Sequence, residues 1–482
     1  MAVLDGLKPQ AVFQYFEALC AIPHGSGNTK PISDYCVRFA RERGLRCIQD
    51  ESNNVIIFKD GTPGYEQSAP VMLQGHLEMV CEKTADCPLD FERDGLILRL
   101  DGDTISADGT TLGGDDGIAV AYGLALLASD DIPHPPLEVV FTTDEEIGMF
   151  GAAALDCSPL KARTMLNVDS EEEGILLVSC AGGCCVSCHL PVQRETVKGV
   201  QITLTAGGLV GGHSGVEIDK GRANANQLLG RALNELGKEL SYTLIDVSGG
   251  LKDNAIPREA VAHLVVEADA VDRVRAFAEK YQEIFAAEFR ATEPALSLTV
   301  EAGEAGEASA MSGDTKTAVI AALVNLPGGI QRMSADIPGL VQTSLNMGIL
   351  STSDSGVTMS FAVRSSVGTE KEELCSRIAN LMGVLGGTVD RVGDYPAWEY
   401  KPDSRLRDLM VEVFTEQYGH APEVQAIHAG LECGLFAGKL PGLDCVSIGP
   451  DMVDIHTTGE RMSVASAQRT WEYILEVLRR LK

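Results

Sequence analysis

Apolar residues in the first 170 positions follow two spacings, one typical of helices and the other of strands. Helices are predicted over 9–20, 32–43 and 117–128, and strands over 54–58, 71–73, 137–141 and 164–168. Strands that alternate with helices in this way are typical of an α/β layer fold with a largely parallel sheet.

The pattern changes near residue 188, where strands of alternating polarity are separated by long helices. Strands are predicted over 200–206, 242–247, 260–267, 296–301, 341–350, 357–364 and 388–392, and helices over 224–236, 271–289, 315–324 and 370–382. From about residue 395 the α/β pattern returns. We therefore predict a discontinuous α/β domain of 1–187 and 394–482 with a mixed, mostly parallel sheet. An α+β domain of 188–393 is inserted into it.

Composition narrows the class of protein. The 482 residues include 69 Asp and Glu against 39 Lys and Arg, a net charge of −30, so neither nucleic acid nor an anionic membrane is an expected partner. No apolar run is long enough to span a bilayer, and the N-terminus lacks the pattern of a signal peptide. The 13 cysteines are then expected to be reduced thiols in the cytoplasm.

Histidine and carboxylate residues cluster after predicted strands. The five clusters lie at 71–79, 110–117, 139–148, 165–169 and 447–460. Sites in open α/β sheets form at the carboxyl ends of strands. Imidazole and carboxylate groups suit zinc, and two ions about 4 Å apart can activate a water for hydrolysis. The adjacent Glu145 and Glu146 would divide the work, one as a ligand and one as a base. Taken singly, paired glutamates also fit a solvated helix start.

Other sequence signals are weaker or missing. We find no H-E-x-x-H, G-x-S-x-G, P-loop or G-x-G-x-x-G motif. Cys180, Cys184, Cys185 and Cys188 could form a structural zinc site. Their spacing does not match paired C-x-x-C knuckles, however, and it favours buried thiols on a strand.

Several motifs carry a resemblance to a known family. They are QGH at 74–76, TLG at 111–113 with Asp115, TDEEIG at 143–148, CAGG at 180–183, GGHSG at 211–215, DNAIPRE at 253–259, HAGLECG at 428–434 and His456. In this order, and over essentially the whole chain, they resemble the co-catalytic zinc peptidase family that includes aminoacylase and tripeptidase. The GGHSG, DNAIPRE and HAGLECG motifs narrow the resemblance to its aminoacyl-histidine dipeptidase branch.

The resemblance implies a role for each matching residue. His76 and Asp169 would hold one ion, Glu146 and His456 the other, with Asp115 as the bridge, Glu145 as the general base, His213 as the oxyanion donor, and Asn254 and Arg364 as substrate-binding residues. It also implies that 1–187 and 394–482 form the catalytic domain and that 188–393 is a lid and dimerisation domain. It further implies two divalent ions, Zn²⁺ first and Mn²⁺ or Co²⁺ as alternatives, and a homodimer. Without the resemblance, His213 would be read as a turn residue and Arg364 as a surface ion-pair partner.

Two positions depart from the family pattern. The family usually has His-x-Asp in the first cluster, whereas this chain has His76-Leu-Glu78. We expect the carboxylate of Glu78 to satisfy the spare imidazole nitrogen of His76 in place of that Asp. Asp116 stands where close relatives often carry Asn, and it adds charge beside Asp115.

The predicted function is metal-dependent hydrolysis of small dipeptides, with aminoacyl-histidine substrates favoured. One alternative is an N-acyl amino-acid deacylase or a broad dipeptidase on the same scaffold. The other alternative is a catalytically silent binding protein, and the complete ligand set argues against it.

Overall fold

The computed structural model describes residues 2–482, which form two compact units. The first unit contains the chain up to Cys180, Tyr400–Ala426 and Leu431–Lys482; the second contains Ala181–Glu399 and Ile427–Gly430. The divisions predicted at 187/188 and 393/394 differ from these. They would cut two strands of the second unit, Gly182–Pro191 and Thr388–Tyr395, whose glycines and small residues weaken the apolar pattern at the boundary.

The helices and strands are numbered along the chain. Up to Cys180 they are α1 (Gln10–Cys20), α2 (Lys30–Glu42), β1 (Arg46–Gln49), β2 (Val55–Lys59), β3 (Val71–His76), β4 (Leu98–Asp101), β5 (Thr104–Ala107), α3 (Gly114–Ala128), β6 (Leu137–Thr142), α4 (Phe150–Ala154), β7 (Thr164–Val168) and β8 (Ile175–Cys180).

The second unit follows. Its elements are β9 (Gly182–Pro191), β10 (Arg194–Gly207), β11 (Gly212–His213), α5 (Ala225–Glu239), β12 (Thr243–Gly249), β13 (Ala255–Ile256), β14 (Ala260–Val266), α6 (Val271–Glu288), β15 (Ser297–Met311), α7 (Gly313–Asn325), β16 (Gly329–Met333), β17 (Val341–Thr352), β18 (Gly356–Ser365), α8 (Gly368–Val384) and β19 (Thr388–Tyr395). The chain then forms α9 (Arg405–Tyr418), β20 (Glu423–Ile427), α10 (Glu432–Lys439), β21 (Asp444–Ile448), β22 (Met452–Val453), β23 (Arg461–Ser463) and α11 (Val464–Arg480).

The first unit is built on an eight-stranded sheet in the order β1-β2-β6-β3-β7-β21-β8-β20. Its centre is parallel, since β3 pairs in parallel with both β6 and β7, and β21 pairs in parallel with β7. The β1–β2, β2–β6 and β21–β8 pairs are antiparallel. Strands β3, β6 and β21 are buried along their whole length, as expected for a central parallel layer. This arrangement confirms the predicted α/β fold class with a mixed sheet.

Strand register places three chain segments side by side at one edge of this sheet. His76 at the end of β3 is level with Thr142 at the end of β6, and Gln74 is level with Asn167 of β7. The residues that follow these strands therefore emerge together. A smaller antiparallel sheet, ordered β22-β23-β5-β4, lies in the same unit.

The second unit contains an antiparallel sheet in the order β15-β10-β14-β12-β17-β18-β9-β19, with β16 paired to β17. The apolar faces of these strands and of helices α5 to α8 form its core. A separate short pair joins β11 to β13, with His213 opposite Ala255. This is the α+β organisation that the sequence predicts.

Strand lengths differ most from prediction at β15. It continues to Met311, well past the predicted end at residue 301, through a mostly exposed stretch of Ala, Gly and Glu that carries no apolar alternation. Pairing with β10 along its length keeps this stretch extended, and only its last two residues, Ala310 and Met311, are buried. Among residues 2–482, no helix is both long enough and apolar enough to cross a membrane.

Candidate metal centre

The edge where β3, β6 and β7 end carries a cluster of imidazole and carboxylate groups. His76 is the last residue of β3, and Asp169 directly follows β7. His76 Nε2 lies 3.1 Å from Asp115 Oδ1 and 3.6 Å from Asp169 Oδ1. Asp115 reaches this position from the first turn of α3.

The other oxygen of Asp115 faces a second imidazole. His456 Nε2 lies 3.2 Å from Asp115 Oδ2 and 2.7 Å from Glu146 Oε1. One carboxylate thus presents one oxygen to each of two histidines, and each histidine has a further carboxylate beside it. This is the donor arrangement of a two-ion site with a shared carboxylate.

Three groups of donor atoms are compact enough to hold an ion, each within 4.8 Å. They are Asp115 with Glu146 and His456, His76 with Asp116 and Asp169, and His76 with Glu145 and Glu146. The first two bring together all five residues expected to be ligands. Asp116 is a candidate that the sequence reasoning did not include as a ligand. Its Oδ2 accepts the main-chain N–H of His76 at 3.0 Å, which ties α3 to the end of β3.

The electrostatics of this cluster favour cations. Burial, and then the charge of Asp169, raises the pKa of Glu145 to about 9. Burial also raises the pKa of Asp169 to about 6. Hydrogen bonds to Asp115 and Glu146 raise the pKa of His456 to about 10. Carboxylates outnumber imidazoles here, so divalent ions would relieve their repulsion, and the mixed oxygen and nitrogen donors suit zinc-like ions.

The structure corrects the expected contact of Glu78. His76 Nδ1 donates to the main-chain carbonyl of Glu78 at 2.9 Å, whereas the Glu78 carboxylate lies 3.8 Å from that nitrogen. Glu78 Oε1 instead accepts the main-chain N–H groups of Glu145 and Glu146, at 2.5 and 3.3 Å. Glu78 therefore holds the His76 imidazole through its main-chain carbonyl and the main chain of Glu145 and Glu146 through its side chain.

Two backbone conformations at the centre are unusual. His456 and Asp144, the residue before Glu145, have φ values of 59° and 55°, in the left-handed region that side chains seldom occupy. The Gly27 N–H donates to Asp144 Oδ1 at 2.7 Å and helps to hold this turn. Such conformations concentrate at functional sites, where surrounding contacts fix them.

A buried polar layer lies one pleat below the histidine and carboxylate cluster. Gln74 Nε2 donates to Glu432 Oε2 at 2.6 Å, and Thr142 Oγ1 donates to the same oxygen at 2.7 Å. The Asn167 amide donates to Gln74 Oε1 at 2.6 Å. Gln74 and Glu432 belong to motifs used for the resemblance, but spacing alone could not reveal this network, because it joins residues more than 350 positions apart.

The second unit holds the remaining predicted site residues. His213 Nδ1 accepts the main-chain N–H groups of Gly215 and Val216, both at 3.2 Å. A neutral imidazole that accepts at Nδ1 carries its proton on Nε2. Burial, and then the charge of Arg364, lowers the pKa of His213 and favours this neutral form. His213 is therefore prepared as a hydrogen-bond donor.

Arg364 and Asn254 occupy different surroundings in this unit. Arg364 Nη1 donates to the Tyr395 hydroxyl at 2.9 Å, so its partner there is a phenol rather than a carboxylate. Burial, followed by the charges of Arg364 and His213, lowers the pKa of His428 to about 3. Arg364 and two imidazoles that favour the neutral form therefore share one neighbourhood. Asn254 is exposed, and its main-chain carbonyl accepts the Ser214 N–H at 2.9 Å.

The four clustered cysteines lie on two strands. Cys180 ends β8, and the other three lie on β9, where Cys184 and Cys188 are buried. Among residues 2–482, no group of side chains compact enough to hold an ion includes a cysteine.

Comparison with known proteins agrees with this geometry. Residues 204–293 match the family described as Peptidase dimerisation domain, of the M20 peptidases. The chain is 38% identical to the cytosol non-specific dipeptidase of Escherichia coli K12, over 100% of this chain and 99% of that protein. The structure of aminoacylhistidine dipeptidase from Vibrio alginolyticus superposes with a TM-score of 0.94 at 36% identity, covering 98% of this chain and 97% of that one. An aminopeptidase from Bacillus cereus, at 16% identity and a TM-score of 0.56 over 98% and 99% of the two chains, shares the fold.

These likenesses, together with the histidine–carboxylate centre, define a metal-dependent peptide-bond hydrolase. The chain belongs to the M20 family of peptidases. Within that family it is a dipeptidase.

Proposed function

We propose that this enzyme hydrolyses dipeptides with a water activated at a two-ion centre, with Glu145 as the general base. The single observation that carries the proposal is the placement of Asp115, whose two oxygens lie 3.1 and 3.2 Å from the Nε2 atoms of His76 and His456. In this proposal His76 and Asp169 hold one ion, Glu146 and His456 hold the other, and Asp115 is shared. When bound, two such ions, most simply Zn²⁺, polarise the scissile carbonyl and lower the pKa of the attacking water.

Glu145 is the proposed proton carrier. The Glu78 carboxylate accepts the main-chain N–H of Glu145. This contact helps to place the Glu145 side chain beside the proposed ligands, and Glu145 itself is assigned to neither ion. Glu145 takes a proton from the attacking water and later delivers it to the leaving amine. The adjacent Glu146 contacts His456 and is assigned to metal binding instead.

The remaining proposed roles belong to residues of the second unit. We assign His213 Nε2–H to the oxygen that becomes negative during amide hydrolysis, because a neutral imidazole can donate there without first losing a proton. The guanidinium of Arg364 suits the free carboxylate of a dipeptide, and Asn254 remains a proposed substrate contact.

The dimerisation-domain match at 204–293 supports a homodimer, and the cytosolic name of the Escherichia coli relative supports a cytoplasmic location.

The charge of the centre bears on the substrate class. Carboxylates predominate around it, and Glu171 adds another whose pKa is raised to about 7 by burial and by Asp115 and Asp169. A substrate with a free ammonium group is favoured in such surroundings over an N-acylated one, which is neutral at that position. We therefore rank dipeptides, aminoacyl-histidine among them, above N-acyl amino acids.

A substrate panel tests this proposal. Protein loaded with Zn²⁺, Mn²⁺ or Co²⁺ is assayed on β-alanyl-histidine, on α-linked dipeptides with and without histidine, and on N-acetyl amino acids. We expect dipeptides to be cleaved and N-acetyl amino acids to be poor substrates. Preference for N-acetyl substrates would favour the deacylase alternative. Bound metal without turnover of any compound would favour a silent binding protein.

Glu78 gives a further prediction. Glu78→Ala removes the acceptor of two main-chain N–H groups and should lower kcat about 10- to 100-fold, the usual range for such supporting groups. Glu78→Asp keeps a carboxylate at this position and should stay within about tenfold of wild type. Metal content, measured on the same samples, should change less than kcat, because His76 is held by a main-chain carbonyl. Wild-type turnover by Glu78→Ala would contradict the proposed support of Glu145.

A further inference from the structure

Glu460 is a buried carboxylate that binds three consecutive main-chain N–H groups. Its side chain is 3% exposed. Oε2 accepts from Leu112 at 2.7 Å and from Gly113 at 3.2 Å, and Oε1 accepts from Gly114 at 2.8 Å. Both oxygens are therefore committed to one short stretch of backbone.

That stretch leads directly into α3. The φ and ψ values of the next two residues, Asp115 (−85°, 103°) and Asp116 (−119°, 30°), are not helical, so the regular helix begins after them. Glu460 supplies acceptors for this non-helical stretch from a position 346 residues further along the chain than Gly114. A buried main-chain N–H without an acceptor is costly, so the carboxylate stabilises the backbone in this conformation.

The contact joins two segments that carry proposed metal ligands. Asp115 directly follows Gly114, and Glu460 comes four residues after His456. The approach is close, since a Cβ added at Gly114 would lie 2.9 Å from Met452 Sδ and 3.3 Å from Glu460 Oε1. Any shift of Glu460 would thus be passed to both Asp115 and His456.

We propose that Glu460 is a positioning residue of the metal centre. It sets the backbone before Asp115 relative to the segment of His456, so that the two oxygens of Asp115 face both imidazoles. This inference rests on the metal-ligand roles proposed above. It adds that the distance between the two halves of the centre depends on a carboxylate that binds no metal itself.

A purely structural role is the competing explanation, and the chain offers a matched control. Glu138 on β6 is 4% exposed, and its carboxylate accepts the main-chain N–H groups of Lys161 and Ala162 at 2.9 to 3.0 Å. It lies towards the start of β6, whereas Glu145 follows the other end of that strand. Glu138 therefore binds loop backbone in a similar way, and the loop that it holds carries no proposed metal ligand.

The test compares Glu460→Gln with Glu138→Gln in the full-length protein. Each glutamine keeps the size of the side chain but replaces one acceptor oxygen with a donor. Thermal stability is measured in excess chelator, and Zn²⁺ affinity is measured by competition with a chromophoric chelator. We expect both variants to lose stability. Only Glu460→Gln should bind Zn²⁺ more weakly, by about 10- to 100-fold at one site or both.

Equal Zn²⁺ affinities for the two variants and the wild type would overturn the proposal and leave Glu460 a structural cap. If Glu460→Gln does not fold, the comparison is made with Glu460→Asp, which keeps two acceptor oxygens on a shorter side chain. Wild-type affinity in a folded Glu460→Asp would likewise overturn it. Failure of the proposed function is distinguishable, because the wild-type protein itself would then bind no Zn²⁺.

Discussion

Glu145→Gln is expected to lower kcat for dipeptide hydrolysis by about 10²- to 10⁴-fold, the range for loss of a general base. Glutamine has nearly the same size as glutamate but cannot take a proton from water. The main-chain N–H of Glu145 and its bond to Glu78 are unaffected, so the local turn should persist. Metal content, determined by elemental analysis of the same samples, should stay at the wild-type level.

Glu146→Gln provides the matched comparison. Glu146 Oε1 lies 2.7 Å from His456 Nε2, so this variant should lose metal as well as activity, and added metal should restore part of the rate. The reverse outcome, with metal lost from Glu145→Gln and kept by Glu146→Gln, would show that the two roles are exchanged.

His213→Ala should reduce kcat by about 100-fold or more, with a much smaller change in KM. The reason is the fixed tautomer of His213, whose Nδ1 accepts two main-chain N–H groups and leaves Nε2–H as the donor. Such a donor acts mainly on charge that develops in the transition state. Steady-state kinetics on one dipeptide are sufficient to separate the two parameters.

His263 of the same unit serves as the control for this measurement. It is part-exposed and bonded to Asp246, and His263→Ala should leave both kinetic constants unchanged. Normal turnover by His213→Ala would show that the GGHSG segment is only a turn, and that the second unit contributes no group to the chemistry.

The proximity of the histidine and carboxylate residues was predictable because two strong local signals combine there. His76, Glu145 and Asp169 each follow an apolar run that forms a buried parallel strand, and parallel strands end at a common edge. The supporting contacts were not predictable in the same way. His76 Nδ1 donates to the main-chain carbonyl of Glu78, and no side-chain motif encodes such a contact. The cap provided by Glu460 depends on a fold that joins distant parts of the chain.

The extent of the strands was also only partly predictable. Apolar alternation identified the inner part of the second sheet. It missed the far half of β15, where Ala, Gly and Glu are mostly exposed and main-chain pairing with β10 holds the strand. The domain divisions differ for a related reason, since β9 begins with small residues that give little periodic signal.

The position of β21 has a consequence for how the protein is made. This strand, formed by residues 444–448, lies between β7 and β8 in the sheet, although those two are synthesised far earlier. Until the ribosome has added the whole second unit and the segment beyond it, β7 lacks its neighbour and presents an open apolar edge. We expect the nascent chain to need chaperone protection for that interval, roughly 15 to 60 seconds at elongation rates of about 5–20 residues per second. His456 emerges later still, so no nascent chain can carry the full set of proposed metal ligands before residue 456 has been added.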